Sequence, residues 1–434
     1  MKNVRNKPAV GILGLWHLGL VYAVSLAKSG YRVTGFDMDK KTIENLKNNR
    51  SVIAEPGLEE NIKKYAGDLL FFSNDPSETI RNKKYIFICL DIPVDNHDRV
   101  NLKPFIKLFN LALQYSSLHS TIVISSQIPV GTSRQLRNQL KAKDQTLELI
   151  YFPENLRLGK GLKTFLHPQR IVLGTNNEKT ANQFRQDFPF FDCPTLVMSL
   201  ESAEMAKHAL NSFLALNISF ASEIGDLCEI SGGNIKDVID ALKSDARISI
   251  QAPINPGLGF AGGTLGRDIQ SLIKISRRHR YQPLLLKAAY KVNKNRLTYL
   301  MHKIKQILPD LSNKKIGILG LTYKPGTDTL RRSISLELVK RLHKEQSAIK
   351  AFDPSIKATL SVYPYLTICR SYNDFFRSLD LAILMTDWPE FKKINFQEIK
   401  SLMKEKIIID TKNFWDYRKM SSLGFKYHPI GYKV

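Results

Sequence analysis

The stretch Val10-Gly-Ile-Leu-Gly-Leu-Trp-His-Leu-Gly19 is a short apolar run broken by glycines, and its core, Gly11-Ile-Leu-Gly-Leu15, returns unchanged as Gly317-Ile-Leu-Gly-Leu321. Each copy reads as the end of a buried strand entering a turn. The first copy runs into a helical pattern from Leu20 to Ser29, then Gly30, then a strand Tyr31-Arg-Val-Thr-Gly-Phe36 that ends on Asp37. The second runs into Ser335-Leu-Glu-Leu-Val-Lys-Arg-Leu342 and a strand near Ile349-Lys-Ala-Phe352 that ends on Asp353. Strand, glycine turn, helix, and strand with a terminal acid is the opening unit of a Rossmann-type sheet. Further buried-strand candidates are Tyr85–Leu90, Thr121–Ser125, Leu381–Met385 and Ile407–Asp410, and their alternation with helical stretches predicts parallel sheets.

Between the two copies, Glu201 to about Glu229 has apolar residues at helical spacing and reads as one long helix. A second helical stretch covers about Pro283 to Leu308. The expected fold class is α/β, with two Rossmann-like doubly wound parallel-sheet domains joined by a long central helix. The expected domains are 1–200 (dinucleotide-binding), 201–308 (helical middle) and 309–434 (second Rossmann-like), the last starting at the linker Pro309-Asp-Leu-Ser-Asn313. At 434 residues the chain exceeds one ordinary domain.

Hydrophobic residues at 43% and charged residues at 24% are ordinary for a globular protein, whereas a net charge of +24 is not. Lys and Arg are spread along the chain, with only short clusters such as Arg277-Arg278-His279-Arg280. A diffuse excess suits phosphorylated ligands, and no segment reads as a nucleic-acid-binding arm. Cys89, Cys193, Cys228 and Cys369 show no metal-ligand or redox spacing. Cys89 and Cys228 lie in apolar surroundings and read as small core residues. No disulfide framework is expected, which suits a reducing cytoplasm. Lys2, Arg5 and Lys7 precede an apolar run from Ala9 to Ala27 with the outline of a signal peptide. His17, Gly11, Gly14 and Gly19 interrupt that run, and the strand–turn–helix reading accounts for it better. No other stretch is long and apolar enough to span a bilayer, so no membrane association is expected.

The dinucleotide fingerprint GxGxxG is here Gly14-Leu-Trp-His-Leu-Gly19. Its second glycine lets backbone approach a pyrophosphate, and Trp16 replaces it. Strand before, helix after, and Asp37 twenty-three residues beyond Gly14 still place NAD on Gly14, Trp16, His17, Leu18 and Gly19. A carboxylate at Asp37 bonds ribose hydroxyls and repels a 2′-phosphate, favouring NAD over NADP; its plainer role is that of a strand-end turn residue. Trp16 has three readings: it caps the turn and pushes the dinucleotide outward, stacks on it, or fills the pocket. His17, beside a helix N-terminus, either donates to a phosphate or is simply a polar turn residue.

The loop Pro256-Gly-Leu-Gly-Phe-Ala-Gly-Gly-Thr-Leu-Gly-Arg-Asp268 resembles the active-site loop of the nucleotide-sugar dehydrogenases that act on UDP-glucose or GDP-mannose, whose pattern is roughly PGxGFGGxCxxKD. The family's nucleophilic cysteine, which allows an alcohol to be oxidised twice, is Thr264 here, and its lysine is Arg267. The resemblance covers nearly the whole chain and implies the same three-part plan, with the central helix forming a homodimer interface. It implies a catalytic set of Thr264, Lys207, Asn211, Asp268 and Glu154. Lys207 and Asn211, four apart, share a helical face. Lysine stabilises an oxygen as charge develops on it. Asparagine orients a water or hydroxyl, and aspartate takes a proton. Glu154, in Tyr151-Phe-Pro-Glu-Asn-Leu-Arg157, matches a glutamate that assists proton transfer; otherwise it is a helix-start acid.

The same resemblance assigns Gln127, Arg267 and Arg331 to the cofactor. It assigns Leu156, Arg157, Arg247, Gly259, Phe260, Gly262, Lys324 and Lys412 to a nucleotide-sugar substrate, with a UDP-sugar expected. Arg247 matches an arginine that reaches the partner subunit's substrate. Several positions depart from the pattern: Ile92 and Gln127 stand for threonines, Leu158 for a glutamate, and Lys412 for an arginine, which keeps the charge but loses the planar fork. The loop glycines let backbone touch a sugar closely, or else mark a mobile loop without a ligand. A threonine hydroxyl is far less acidic than a thiol, whose reference pKa is about 8.5, and no histidine in the loop activates it. A single NAD-dependent oxidation ending at an aldehyde or ketone is therefore expected. A full two-step oxidation to a uronate and a non-catalytic nucleotide-sugar-binding or regulatory role are the alternatives.

Overall fold

The computed structural model describes residues 7–95, 98–142, 147–153, 156, 158–261 and 263–433. They form two compact units, Met1–Leu210 and Asn211–Val434, whose boundary falls inside the helix Leu200–Ser231.

The first unit is built on an eight-stranded sheet. Its strands are β1 (Val10–Leu13), β2 (Val33–Phe36), β3 (Leu70–Ser73), β4 (Tyr85–Ile88), β5 (Thr121–Ile124), β6 (Glu148–Tyr151), β7 (Ile171–Gly174) and β8 (Thr195–Met198). The order is β3-β2-β1-β4-β5-β6-β7-β8. The first six run parallel in the order of a dinucleotide-binding sheet. β7 joins β6 antiparallel through Tyr151 and Gly174, an extension that the apolar pattern did not announce. β1, β2, β4, β5 and β7 are buried at every position, because helices cover both faces. That burial on both faces is why these strands read as unbroken apolar runs.

The second unit carries a six-stranded sheet of β9 (Lys315–Leu319), β10 (Ala348–Phe352), β11 (Leu366–Ile368), β12 (Leu381–Leu384), β13 (Ile407–Asp410) and β14 (Lys426–Pro429). Its order, β11-β10-β9-β12-β13-β14, repeats the first six strands of the other sheet, and every pair is parallel. The repeated pentapeptide therefore marks a repeated architecture. Helices Leu265–Arg278 and Leu284–Ile307 pack in the same unit, with Ala215, Phe260, Ile269 and Ile273 forming a small core between elements.

The two glycine turns are the same turn. Gly14 has φ +92° and Gly320 φ +88°, a region L side chains avoid. Gly14 N–H donates to Phe36 O, and Gly320 N–H donates to Phe352 O, each at 2.9 Å. A Cβ on Gly19 would fall 1.7 Å from the Gly14 carbonyl oxygen, so the helix can pack on its strand only with glycine there. The first helix starts at His17, three residues before its apolar pattern does, and the central helix runs from Leu200 to Ser231.

In the second unit a buried polar cluster ties the central helix to the last strand. Glu229 accepts from Lys303 Nζ (2.8 Å), Tyr299 Oη and the Gly431 amide (2.7 Å). His428 lies in the same region; burial, with Lys303 adding repulsion, pushes its pKa down to about 4 from 6.5. The folded protein thus holds His428 neutral while the unfolded chain takes up a proton as the pH falls through 6.5. Stability from this residue is full above that pH and lost on the way down to about 4. Urea unfolding of wild type and His428→Asn at stepped pH should show wild type losing ground to the variant between those two values. Parallel pH profiles would refute it.

Candidate functional site

In both sheets the chemically interesting residues sit just beyond the carboxyl ends of the strands, where parallel sheets bind ligands. In the first unit these are the Gly14 turn after β1, Asp37 after β2, and Gln127 after β5. Asp37 Oδ2 accepts the Leu15 amide (2.8 Å) and Oδ1 the Asp39 amide (2.9 Å), so the carboxylate is fixed at the mouth of the turn while remaining partly open to solvent. A carboxylate has about four lone-pair sites, leaving capacity for ribose hydroxyls. Trp16 has φ −86° and ψ −148°, a conformation that requires no glycine. Its indole is 48% exposed, so it does not fill the turn. What tryptophan removes here is room beside the backbone, and the turn, helix N-terminus and acid that a dinucleotide needs are all in place.

His17 pairs with a buried acid. Its Nε2 lies 3.1 Å from Glu55 Oε2, and Glu55 is buried. Glu55 also accepts the Gly159 amide (2.8 Å) and the Gly161 amide (2.7 Å). The cofactor turn is thereby linked to the segment that follows Leu156. Leu156 itself is partly buried and packs against the core of the first sheet. Glu154, Arg157 and Gly262 lie outside the described residues.

Gln127 is buried, in a loop held by two residues that sequence reasoning did not single out. His208 Nε2 lies 2.9 Å from the Ile128 carbonyl oxygen, and Glu204 accepts the amides of Gly131 (2.5 Å) and Ser133 (2.8 Å). Burial raises the Glu204 pKa, and those amide bonds oppose the rise. The available signal was their phase: Glu204, Lys207, His208 and Asn211 all fall on the buried side of the central helix, where charged residues are rare without a purpose.

In the second unit, Asn211, Arg267 and Asp268 come together. Asp268 is fully buried; Asn211 Nδ2 donates to its Oδ2, and Arg267 Nε stands 3.3 Å from its Oδ1. Arg267, expected at the cofactor, is thus engaged by its neighbour. Thr264 is the N-cap of helix Leu265–Arg278, exposed, with no capping bond from its side chain. Gly259 takes φ +79°, and the Phe260 ring turns into the small core. Arg247 reaches away into solvent and pairs with Asp245 through two bonds of 2.9 and 2.7 Å.

The acid of the second glycine turn is more fully engaged than Asp37. Asp353 is buried and its Oδ2 is taken by the amides of Leu321 (2.7 Å) and Thr322 (3.1 Å) and by Trp388 Nε1 (3.2 Å). Beyond the same sheet edge lie Lys324, near the Tyr323 ring (5.7 Å), exposed Arg331, and Lys412. Lys412 sits in a turn organised by Asp410, which is fully buried and accepts the amides of Lys412 (2.8 Å), Phe414 (2.8 Å) and Trp415 (3.2 Å) together with Tyr427 Oη (2.5 Å). Burial raises the Asp410 pKa against these bonds. The loops at this edge thus carry three cations, Lys324, Arg331 and Lys412, alongside the exposed Asp328.

Three family models match the chain in order: the NAD-binding domain of the UDP-glucose/GDP-mannose dehydrogenase family at 8–190, its central domain at 201–295 and its UDP-binding domain at 317–417. The UDP-glucose 6-dehydrogenase of Rickettsia conorii is 35% identical over 98% of this chain and 100% of its own length. Among solved structures, the UDP-glucose dehydrogenase of Pyrobaculum islandicum superimposes with a TM-score of 0.89 at 27% identity, over 99% of this chain and 98% of that one. A UDP-D-ManNAc dehydrogenase from Pyrococcus horikoshii gives 0.86 at 25% identity, over 98% and 99%. With NAD as the cofactor and Asp37 beside the turn, thermal-shift titration should show stabilisation by NAD and none by NADP. Equal stabilisation by both would remove the role given to Asp37.

Proposed function

Because the chain belongs to the UDP-glucose/GDP-mannose dehydrogenase family, we propose that it oxidises the sugar of a UDP-sugar once, to the aldehyde or ketone, and releases that carbonyl product. The observation that carries this reading is Thr264 at the exposed N-terminus of helix Leu265–Arg278. A helix N-terminus favours an anion, and a cysteine in its place would gain thiolate there. A threonine hydroxyl stays protonated at neutral pH and brings a methyl group beside the reacting oxygen. It holds no covalent adduct for a second oxidation.

NAD, when bound, supplies the hydride acceptor. Lys207 offers a positive charge to the sugar oxygen as its proton leaves. Asn211, bonded to Asp268, orients a water, and Asp268 receives that proton directly or through the water. Arg267 Nε stands beside the Asp268 carboxylate and pairs with it. Glu154, Arg157, Leu156 and Gly262 are assigned to the sugar side. Lys324 and Lys412 take the diphosphate, with Arg331 near the cofactor. We assign 1–200 to NAD binding, 201–308 to the sugar pocket and dimer contact, and 309–434 to the uridine nucleotide.

A homodimer is supported by Phe213, Phe220, Leu227 and Ile230, exposed apolar side chains that recur down the outer face of the central helix. In such a dimer Arg247 serves the partner's substrate. No helix among the described residues is long and apolar enough to cross a membrane, and all four cysteines are free, which supports a reducing compartment.

Purified protein given NAD and UDP-glucose should form one NADH per sugar consumed and a product that reacts as a carbonyl. Thr264→Cys alone should not convert it to a uronate producer, because Arg267 and Leu158 also differ from the family pattern. Two NADH and a uronate from the wild type would overturn the proposal; no NADH with retained UDP-sugar binding would favour the binding role.

A further inference from the structure

We infer that Asn293 and Arg296 are positioning residues that set the glycine loop 256–261 in its substrate-holding shape before any ligand arrives. The inference rests on the reading of that loop as the sugar-binding loop. Both residues lie on helix Leu284–Ile307, three apart, and so face the same side. Asn293 grips a single residue with both ends of its amide: its Oδ1 accepts the Phe260 amide (2.7 Å), and its Nδ2 donates to the Phe260 carbonyl (3.1 Å). Arg296 Nε donates to the Gly257 carbonyl (3.0 Å), and its Nη1 donates to Asp226 (2.5 Å). One helix face thus holds the loop at its first glycine and at Phe260.

Gly259, between those two points, shows how closely the grip fits. It takes φ +79°, and a Cβ there would come within 2.1 Å of Asn293 Oδ1. The asparagine amide occupies the space that any side chain at 259 would need. Arg296 is 3% exposed, with its guanidinium 4.5 Å from the Tyr299 ring centroid. A buried ion pair adds little stability over an apolar pair of the same size. An arginine at this place therefore makes sense for what it orients, the Gly257 carbonyl. A loop with only small residues would otherwise sample many conformations, and the ordering would weaken ligand binding.

Two variants test this. Asn293→Ala removes the grip, and Asn293→Asp keeps the size and the acceptor for the Phe260 amide while setting a carboxylate oxygen against the Phe260 carbonyl. Hydrogen exchange of loop peptides spanning 257–263, UDP-glucose affinity by calorimetry and NAD affinity are measured on each full-length variant. We expect faster exchange confined to the loop, UDP-glucose bound about tenfold more weakly, and NAD affinity unchanged. Unchanged loop exchange in both variants overturns the grip itself. Faster exchange with unchanged UDP-glucose affinity shows instead that the loop does not hold the sugar, and overturns the assignment of the pair to substrate positioning together with the loop's place in the proposed function.

Discussion

A single carboxylate closing a glycine turn underlies both halves of this molecule. Asp37 receives the Leu15 amide, and Asp353 receives the Leu321 amide, in turns whose glycines share almost the same left-handed φ. The bond pins the start of the helix to the end of the neighbouring strand and so fixes the glycine turn between them. The two turns then diverge in what surrounds the acid. Asp37 stays at the surface with lone pairs to spare, whereas Asp353 is sealed by Thr322 and Trp388. One geometry therefore leaves a carboxylate open at the edge of the first sheet and makes it internal support in the second.

Buried acids recur as organisers of loops. Glu55 holds the amides of Gly159 and Gly161, Glu204 those of Gly131 and Ser133, and Asp410 those of Lys412, Phe414 and Trp415. An isolated charge in such places would be costly, and a carboxylate surrounded by backbone N–H donors is not isolated. Each acid makes one loop conformation much better than its alternatives. That is how a set of connections with few regular hydrogen bonds of their own presents side chains at fixed places.

Much of this was legible from the chain. The repeated pentapeptide and its trailing acids marked two sheets of one design, because glycine in a left-handed turn and an acid at a strand end answer to local geometry. Continuous apolar strands followed from burial on both faces, and the central helix from apolar residues at its period. The loop pattern around Thr264 was legible as a resemblance. The antiparallel strand β7 was not, since Ile171–Gly174 is as apolar as its parallel neighbours and direction depends on the path of the connection.

Local spacing thus fixed the strands, turns, central helix and the shared helical face of Lys207 and Asn211, because backbone sterics and side-chain period act within a few residues. Tertiary structure alone decided that His17 turns to Glu55, that Arg267 engages Asp268, and that Asn293 clasps Phe260. Two of those partners lie more than thirty residues apart in the chain, and the third pair are adjacent residues whose contact depends on rotamer and burial. Hydrogen bonds form between groups brought within about 3 Å, and no one-dimensional pattern encodes that proximity.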